Sequence, residues 1–281
     1  MRLYKRERYL SKMRAFFHDD DLIKVITGIR RCGKSSLMQT IAEELKEGGV
    51  AENNIIYIDL DKRGYKSIRN AEQLDALIES ATQAKGMKYL FIDEIQNVEG
   101  FENVINGFRS EGDYSIFITG SNSYLLSGEL VTKLTGRYLE FEMFPLTFDE
   151  YEDMKRFYGR EINPNAEIEL NSYILEGGFP RAIQIDSPSD KRTYVKGIID
   201  EIFEKDIKRR VKIKDVQSFE LVRNYIINNF GATTSINSLH EALLKNGMAI
   251  SRATVTRYIK TLVDAKILYE CKRFDMKSKK T

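Results

Sequence analysis

Between Gly28 and Ser35 the chain reads G-I-R-R-C-G-K-S: a glycine, four residues, then Gly-Lys-Ser. Residues of these types at this spacing suit a phosphate chain. Gly28 permits a sharp turn out of a strand, and Gly33 lets backbone N–H groups crowd against phosphate oxygens with no Cβ in the way. Lys34 can reach the β- and γ-phosphates, and the Ser35 hydroxyl can ligate Mg²⁺. Ile29, Arg30, Arg31, Cys32 and, just past the loop, Ser36 complete the expected lining. The pattern arises by chance in roughly one chain in a hundred of this length, so its surroundings decide the reading.

Those surroundings are a strand and a helix. Val25 and Ile26 form a β-branched run before the loop, and Leu37, Ile41 and Leu45 follow it at four-residue spacing. A loop entering a helix N-terminus is a ready-made anion site. Gly48 and Gly49 end that helix. The next continuous apolar run, Asn54 to Leu60, predicts a buried strand. Leu74, Leu77 and Ile78 are in helical phase after it. Tyr89-Leu90-Phe91-Ile92 then ends in Asp93 and Glu94, the ligand edge of a parallel strand. There Asp93 would face Mg²⁺ and Glu94 would orient the attacking water. Ser115 to Thr119 predicts a further strand, ending in Gly120-Ser121-Asn122. Ser121 or Asn122 could hold the lytic water or touch the γ-phosphate, or Ser121 could simply cap a helix. Leu125 to Leu134 reads as helix, Gly136-Arg137 breaks it, and Tyr138 to Phe144 alternates as a strand. Residues 22–150 therefore predict an α/β fold with a mainly parallel sheet.

On either side of this region the pattern is helical. Residues 1–22 carry an apolar stripe (Tyr9, Leu10, Met13, then Phe16 or Phe17), which predicts packing against the sheet. A second reading lays Arg8 and Tyr9 over a nucleotide base. Phe148 to Phe157, Ile168 to Leu175 and Asp190 to Arg210 predict a helical lid, interrupted by Gly177-Gly178-Phe179-Pro180. The charges from Glu201 to Arg210 fit i,i+4 pairs on a solvated helix. Gly231-Ala232-Thr233 separates the next two helices: Val222, Tyr225 and Ile226 mark one; Ile236, Leu239 and Leu243 the other. Ser251 caps a third, with Val255, Ile259, Leu262 and Val263 inward, and Ile267 to Cys271 reads as the start of a β-wing. Helix, helix, turn, helix, wing resembles a winged helix-turn-helix. On its third helix Arg252, Thr254, Arg257 and Lys260 would face nucleic acid. From Arg252 to Thr281 there are nine Lys plus Arg against three acids, a local basic footprint suited to phosphates. A solvated basic face or an oligomer contact is the competing explanation.

The 281 residues, 42% hydrophobic and 31% charged, describe a globular chain of two or three units. A net charge of +2 means that any nucleic-acid surface must be local. With only Cys32, Cys271, His18 and His240 in the whole chain, a zinc site is not expected. Cys32 lies within the loop, where a disulfide would obstruct a ligand, so a reducing compartment is expected. At a helix N-terminus beside Lys34, Cys32 is also expected to favour its thiolate. No signal-peptide core or membrane-length run is present, which predicts a cytoplasmic protein without a membrane partner.

Taken together, these residues resemble the AAA+ ATPases of the phosphate-loop class, and more narrowly the bacterial and archaeal AAA_14 family, which often carries a DUF4143 region. The resemblance rests on G-I-R-R-C-G-K-S at Gly28, F-I-D-E-I-Q at Phe91 and T-G-S-N-S-Y-L-L-S at Thr119. It rests equally on L-T-G-R-Y-L-E-F-E-M-F-P-L at Leu134 and G-G-F-P-R at Gly177. It spans at least residues 8–212. It implies that Lys34 and Ser35 bind nucleotide (ATP or ADP) and magnesium, and that Asp93 and Glu94 are the Walker B pair. It also implies that Ser121 or Asn122 is sensor 1 and that Arg137 is an arginine finger acting on a neighbouring subunit in a homo-oligomer. A surface Arg capping a helix is the plain alternative for Arg137. Pro180 would press on the adenine ring, and Arg181 sits where a lid arginine would. Members of the family usually continue past the wing into a nuclease-like domain. This chain stops at Thr281 with one wing strand written, as either a truncated piece of a longer protein or a shortened member, and no nuclease function is carried over to it.

The expected organisation is an ATPase core over residues 1–145, a helical lid over 146–212 and a winged helix over 213–281. The expected function is Mg-dependent ATP hydrolysis coupled to a DNA-binding module. The alternative is a nucleotide switch with little turnover, whose C-terminal module binds a protein or drives oligomerisation.

Overall fold

The computed structural model describes residues 3–82, 84–120, 134, 136–208, 213 and 215–271. It divides into two compact units, Met1–Glu201 and Ile202–Thr281.

The first unit is built on five parallel strands: β1 (Ile23–Gly28), β2 (Ile55–Asp59), β3 (Lys88–Asp93), β4 (Tyr114–Thr119) and β5 (Tyr138–Met143). They lie in the order β2-β3-β4-β1-β5. The three central strands are buried along their whole length, which is why they read as continuous apolar runs rather than alternating ones. β5 is a half-buried edge strand. Register brings the strand ends level: Asp59 lies opposite Asp93, and Gly28 opposite Met143. β4 stands between β1 and β3, so the acidic end of β3 and the loop after β1 share one edge with a strand end between them.

Both faces of the sheet are covered. Helices α3 (Ala71–Ala81) and α4 (Phe101–Glu111) bring Leu74, Ile78, Phe101, Ile105 and Phe108 onto Val25, Leu90, Ile92, Ile116 and Ile118. On the other face an aromatic file crosses the strands. Tyr57 stacks on Phe91 at 5.9 Å, Phe91 on Phe117 at 4.7 Å, and Phe17 meets Phe117 edge-on at 6.2 Å. Such pairs add about 0.5–1.5 kcal/mol each beyond the area they bury. Helix α2 (Lys34–Glu47) packs against β1 and β4.

The N-terminal helix is shorter than its apolar stripe suggests. Helix α1 runs Glu7–Met13 and gives way to a 3₁₀ turn, Arg14–Phe16. Beyond it, backbone groups find partners outside the helix. Ser115 donates to the Phe17 carbonyl, Lys24 to the Asp19 carbonyl, and the Leu22 N–H to the Asp19 carboxylate.

After β5 come α5 (Phe148–Phe157), opened by a capping box between Thr147 and Glu150, α6 (Ala166–Glu176), capped by Asn165, and α7 (Pro188–Ile202). Leu146, Tyr151, Met154 and Ile183 form a small core, with Tyr173 of α6 packed against it. A π-helical turn, Phe203–Ile207, follows α7, and Lys208 pairs with Glu204 at 3.1 Å as the charge pattern predicts.

The second unit contains α8 (Val216–Asn228), α9 (Ile236–Lys245) and α10 (Arg252–Asp264). Asp215, Ser235 and Ser251 cap them in turn, each accepting from a first-turn N–H. Phe219, Val222, Leu239, Leu243, Val255, Tyr258 and Leu262 are buried. Ile267–Cys271, expected as a wing strand, forms no sheet pairing among the described residues. A strand needs a hydrogen-bonded neighbour, and residues 272–281 lie outside the described set. No helix of the described residues is long and apolar enough to cross a membrane.

Candidate functional site

The loop leaving β1 turns through two glycines in conformations that side chains avoid. Gly28 has φ +148° and Gly33 has φ +108°. A Cβ at Gly28 would come within 2.4 Å of the Met143 carbonyl, so this position has no room for a side chain. Helix α2 begins at Lys34, with Gly33 at its N-cap, and its first N–H groups therefore open onto the loop. The Lys34 side chain is buried and its ammonium donates to the carbonyls of Gly28 (3.0 Å) and Ile29 (3.4 Å). Ser35 is half-buried, and Arg30 is as well. Arg31 and Ser36 are exposed, and Ile29 and Cys32 are buried. Arg31 has φ +67° and pairs with Glu201 at 3.5 Å.

At the end of β3, Asp93 is 2% exposed. Thr119, the last residue of the adjacent β4, donates its hydroxyl to the Asp93 carboxylate and accepts the Glu94 N–H at 3.1 Å. One hydroxyl thus holds both acids. Glu94 takes a left-handed conformation, φ +58°, a sparsely populated state for a non-glycine residue that marks functional turns. Burial pushes the Glu94 carboxyl above its ordinary range, against the pull of Lys34 and of Gln96, whose amide donates to it. Tyr57 donates to the Ser35 carbonyl at 3.3 Å, and burial beside Asp93 and Asp59 raises its hydroxyl well above the usual tyrosine value.

Three readings of the sequence meet different surroundings. Cys32 is fully buried, and desolvation pushes its thiol up despite Lys34 and Arg6 nearby. Burial outweighs the helix N-terminus, so the thiolate is disfavoured. Tyr9, set against a base in one reading, is packed: its hydroxyl accepts the Phe144 N–H at 3.0 Å and Arg6 lies over its ring at 4.7 Å. Pro180 opens a short 3₁₀ segment, Pro180–Gln184, and a Cβ built on Gly33 would lie 3.8 Å from its Cγ. That brings Gly177-Gly178-Phe179-Pro180 to the loop. Arg181 is exposed and donates to Gln184.

Arg137 lies elsewhere. Its carbonyl accepts the Ile23 N–H, at the edge where the strands begin, and its guanidinium pairs with Asp21 at 3.1 Å. Ser121 and Asn122 lie outside the described residues. In the second unit Arg252, Arg257 and Lys260 are exposed along α10. Thr254 is half-buried, and its N–H and hydroxyl bond to Ser251 within the helix cap, not on the outer face.

Sequence reasoning missed two residues. Thr119 is a polar residue ending a buried strand at the ligand edge, a signal that was present beside Ser121 and Asn122. Arg6 is 5% exposed and bonds at once to Glu150, Cys32 and Phe144. Burial pushes the Glu150 carboxyl up, but Arg6 and the Thr147 N–H more than offset it and hold the group below its ordinary range. Nothing local distinguishes Arg6 from Lys5 or Arg8.

The donors at the sheet edge are a hydroxyl (Ser35), a carboxylate (Asp93) and a buried ammonium (Lys34) beside a helix N-terminus. Hard oxygens suit Mg²⁺, and the ammonium and amides suit phosphate. The residues present fit a magnesium-bound nucleotide.

Residues 20–152 match AAA_14, described as an AAA domain, and residues 167–281 match DUF8612, a domain of unknown function. A relative from Haemophilus influenzae, described as uncharacterized, is 33% identical over 281 residues, 99% of this chain and 68% of its own length. Another from Methanocaldococcus jannaschii, described likewise, is 34% identical over 263 residues, 92% of this chain and 58% of its own. Among solved structures the ORC2 protein of Aeropyrum pernix, in ADPNP-ADP complexes, superposes with a TM-score of 0.53 at 13% identity, covering 92% of this chain and 84% of that one. That likeness is one of fold. The chain belongs to the AAA_14 family of AAA+ P-loop ATPases.

Proposed function

We propose that this chain binds Mg·ATP at the sheet edge and hydrolyses it, and that the second unit is a DNA-binding winged helix-turn-helix coupled to that reaction. One observation carries the hydrolytic reading: Thr119 holds Asp93 and the Glu94 backbone together at the edge where Lys34 begins its helix.

The roles follow from the chemistry of each group. Backbone N–H groups from Ile29 to Ser36 take the phosphate oxygens, and Lys34 exchanges the Gly28 and Ile29 carbonyls for the β- and γ-phosphates. Ser35 and Asp93 hold magnesium, which when bound offsets phosphate charge. Glu94, its carboxyl raised by burial, orients and accepts a proton from the attacking water; a base is most effective when its pKa approaches the working pH. Pro180, close to Gly33, borders the nucleotide. Arg137, at the opposite sheet edge, serves a neighbouring subunit's γ-phosphate in a homo-oligomer, where such an arginine contributes roughly 10³–10⁵ in rate. Arg252, Arg257 and Lys260 contact DNA phosphates.

Glu94→Gln tests the reading. ATP turnover should fall at least about a hundredfold, the usual scale for losing a positioned base, while ATP affinity persists. Tight ATP binding by a wild-type protein with no measurable turnover, alone or with duplex DNA, would instead identify a nucleotide switch.

A further inference from the structure

Arg6 precedes α1 and belongs to none of the motifs that define the site. Its guanidinium nonetheless makes five hydrogen bonds near the loop. Nε and Nη2 donate to the two carboxylate oxygens of Glu150 at 2.9 and 2.6 Å. Nη1 donates to the Cys32 carbonyl at 3.1 Å and the Phe144 carbonyl at 2.9 Å, and Nη2 reaches the Pro145 carbonyl at 3.4 Å. A planar fork of this kind fixes direction as well as distance.

The Cys32 carbonyl shares a peptide plane with the Gly33 N–H. No peptide bond described here is cis, so the C=O and N–H bonds point in opposite directions. A guanidinium drawing the carbonyl to one side therefore turns the Gly33 N–H to the other. Gly33 alone could rotate freely, since its φ of +108° lies where glycine moves at little cost. Glu150, the other partner, is the third residue of α5 and closes its capping box: its carboxylate accepts the Thr147 N–H at 3.0 Å while its own N–H donates to Thr147.

We infer that Arg6 is a positioning residue for phosphate binding: it aims the Gly33 N–H through the Cys32–Gly33 peptide and, through Glu150, fixes that peptide to the first helix of the lid. The inference rests on the reading that Gly28–Ser35 binds phosphate. Its consequence is that loop geometry and lid position are set by one side chain.

The test uses inorganic pyrophosphate and ATP as probes on the full chain. Arg6→Lys keeps a cation for Glu150 but has no fork to span Glu150 and Cys32 together. Glu150→Gln removes the charge of the lid partner and leaves the Cys32 bond in place. Arg6→Lys should weaken pyrophosphate binding about tenfold, the scale of one charge-assisted hydrogen bond. It should also shift the Gly33 amide resonance in the ligand-free protein, which a general loss of stability would not do. Glu150→Gln should change pyrophosphate affinity less than about threefold and leave that resonance near its wild-type position. A folded Arg6→Lys protein with wild-type pyrophosphate affinity and an unmoved Gly33 resonance would overturn the inference. A wild-type protein that binds neither probe would overturn the phosphate reading itself, and the inference with it.

Discussion

The guanidinium of Arg137 meets the carboxylate of Asp21 at 3.1 Å, and Arg109 from the last turn of α4 reaches the same oxygen at the same distance. Both lie where β1 begins, whereas the phosphate loop leaves β1 at its other end. Six residues of strand separate the two edges, roughly 20 Å. An arginine cannot cross that gap, so any phosphate that Arg137 touches belongs to another molecule.

Arg137→Ala should therefore leave ATP affinity unchanged and abolish the rise of turnover per subunit with protein concentration. Asp21→Asn should lower stability by no more than about 1 kcal/mol, because the pair is more than half exposed. Steady-state assays across a concentration series, with urea unfolding alongside, check both. A rate indifferent to concentration and to Arg137 would remove the trans role.

Thr119→Val should cost about 1–3 kcal/mol, the range for leaving buried partners unsatisfied, since the Glu94 N–H and the Asp93 carboxylate both lose the hydroxyl. Turnover should fall with it, because Glu94 loses the contact that fixes its left-handed backbone. Thr119→Ser should restore both in urea unfolding and ATPase assays.

Lys24, the second residue of β1, donates to the Asp19 carbonyl and the Ser115 hydroxyl, with Phe117 against its ammonium. Burial lowers it from 10.5 to about 8, partly opposed by Asp19 and Asp20. Between those values the unfolded chain binds the proton and the folded chain does not, so stability rises with pH from about 8 to 10.5. Below that window the buried charge is a fixed cost. Lys24→Met should remove the slope, worth up to roughly 3 kcal/mol, in unfolding free energies measured from pH 7 to 10.5.

A thiol reagent at neutral pH should label Cys271, which is exposed, and spare Cys32, which is buried with its thiol pushed up. Labelling of Cys32 should track global unfolding in urea. Mass spectrometry of the two cysteine peptides separates the sites, and rapid native labelling of Cys32 would contradict its burial.

The parts of the site that sequence makes visible are those encoded by local spacing. Gly28, Gly33, Lys34 and Ser35 form one short loop, and Asp93 and Glu94 end a strand whose apolar run betrays double burial. What stayed hidden depends on partners far along the chain. Arg6 is defined by Glu150, 144 residues away, and Lys24 by Ser115, 91 residues away, together with the Asp19 carbonyl. Cys32 was misread because a helix N-terminus and a lysine are visible in sequence, while the desolvation that outweighs them is not. The wing was read from the order helix, helix, turn, helix, strand, and the residues after Cys271 that would pair with that strand lie outside the described set.

The family match begins at residue 20, and every motif of the phosphate site lies after it. Arg6 lies before it. A chain trimmed to residues 20–152 would keep the phosphate loop and the Asp93–Glu94 pair but lose the cation that neutralises Glu150, leaving a carboxylate stranded in the interior beside the loop. On the inference drawn for Arg6, the unit that grips phosphate at full strength is larger than the span by which the family is recognised, and the difference includes a residue that no motif marks.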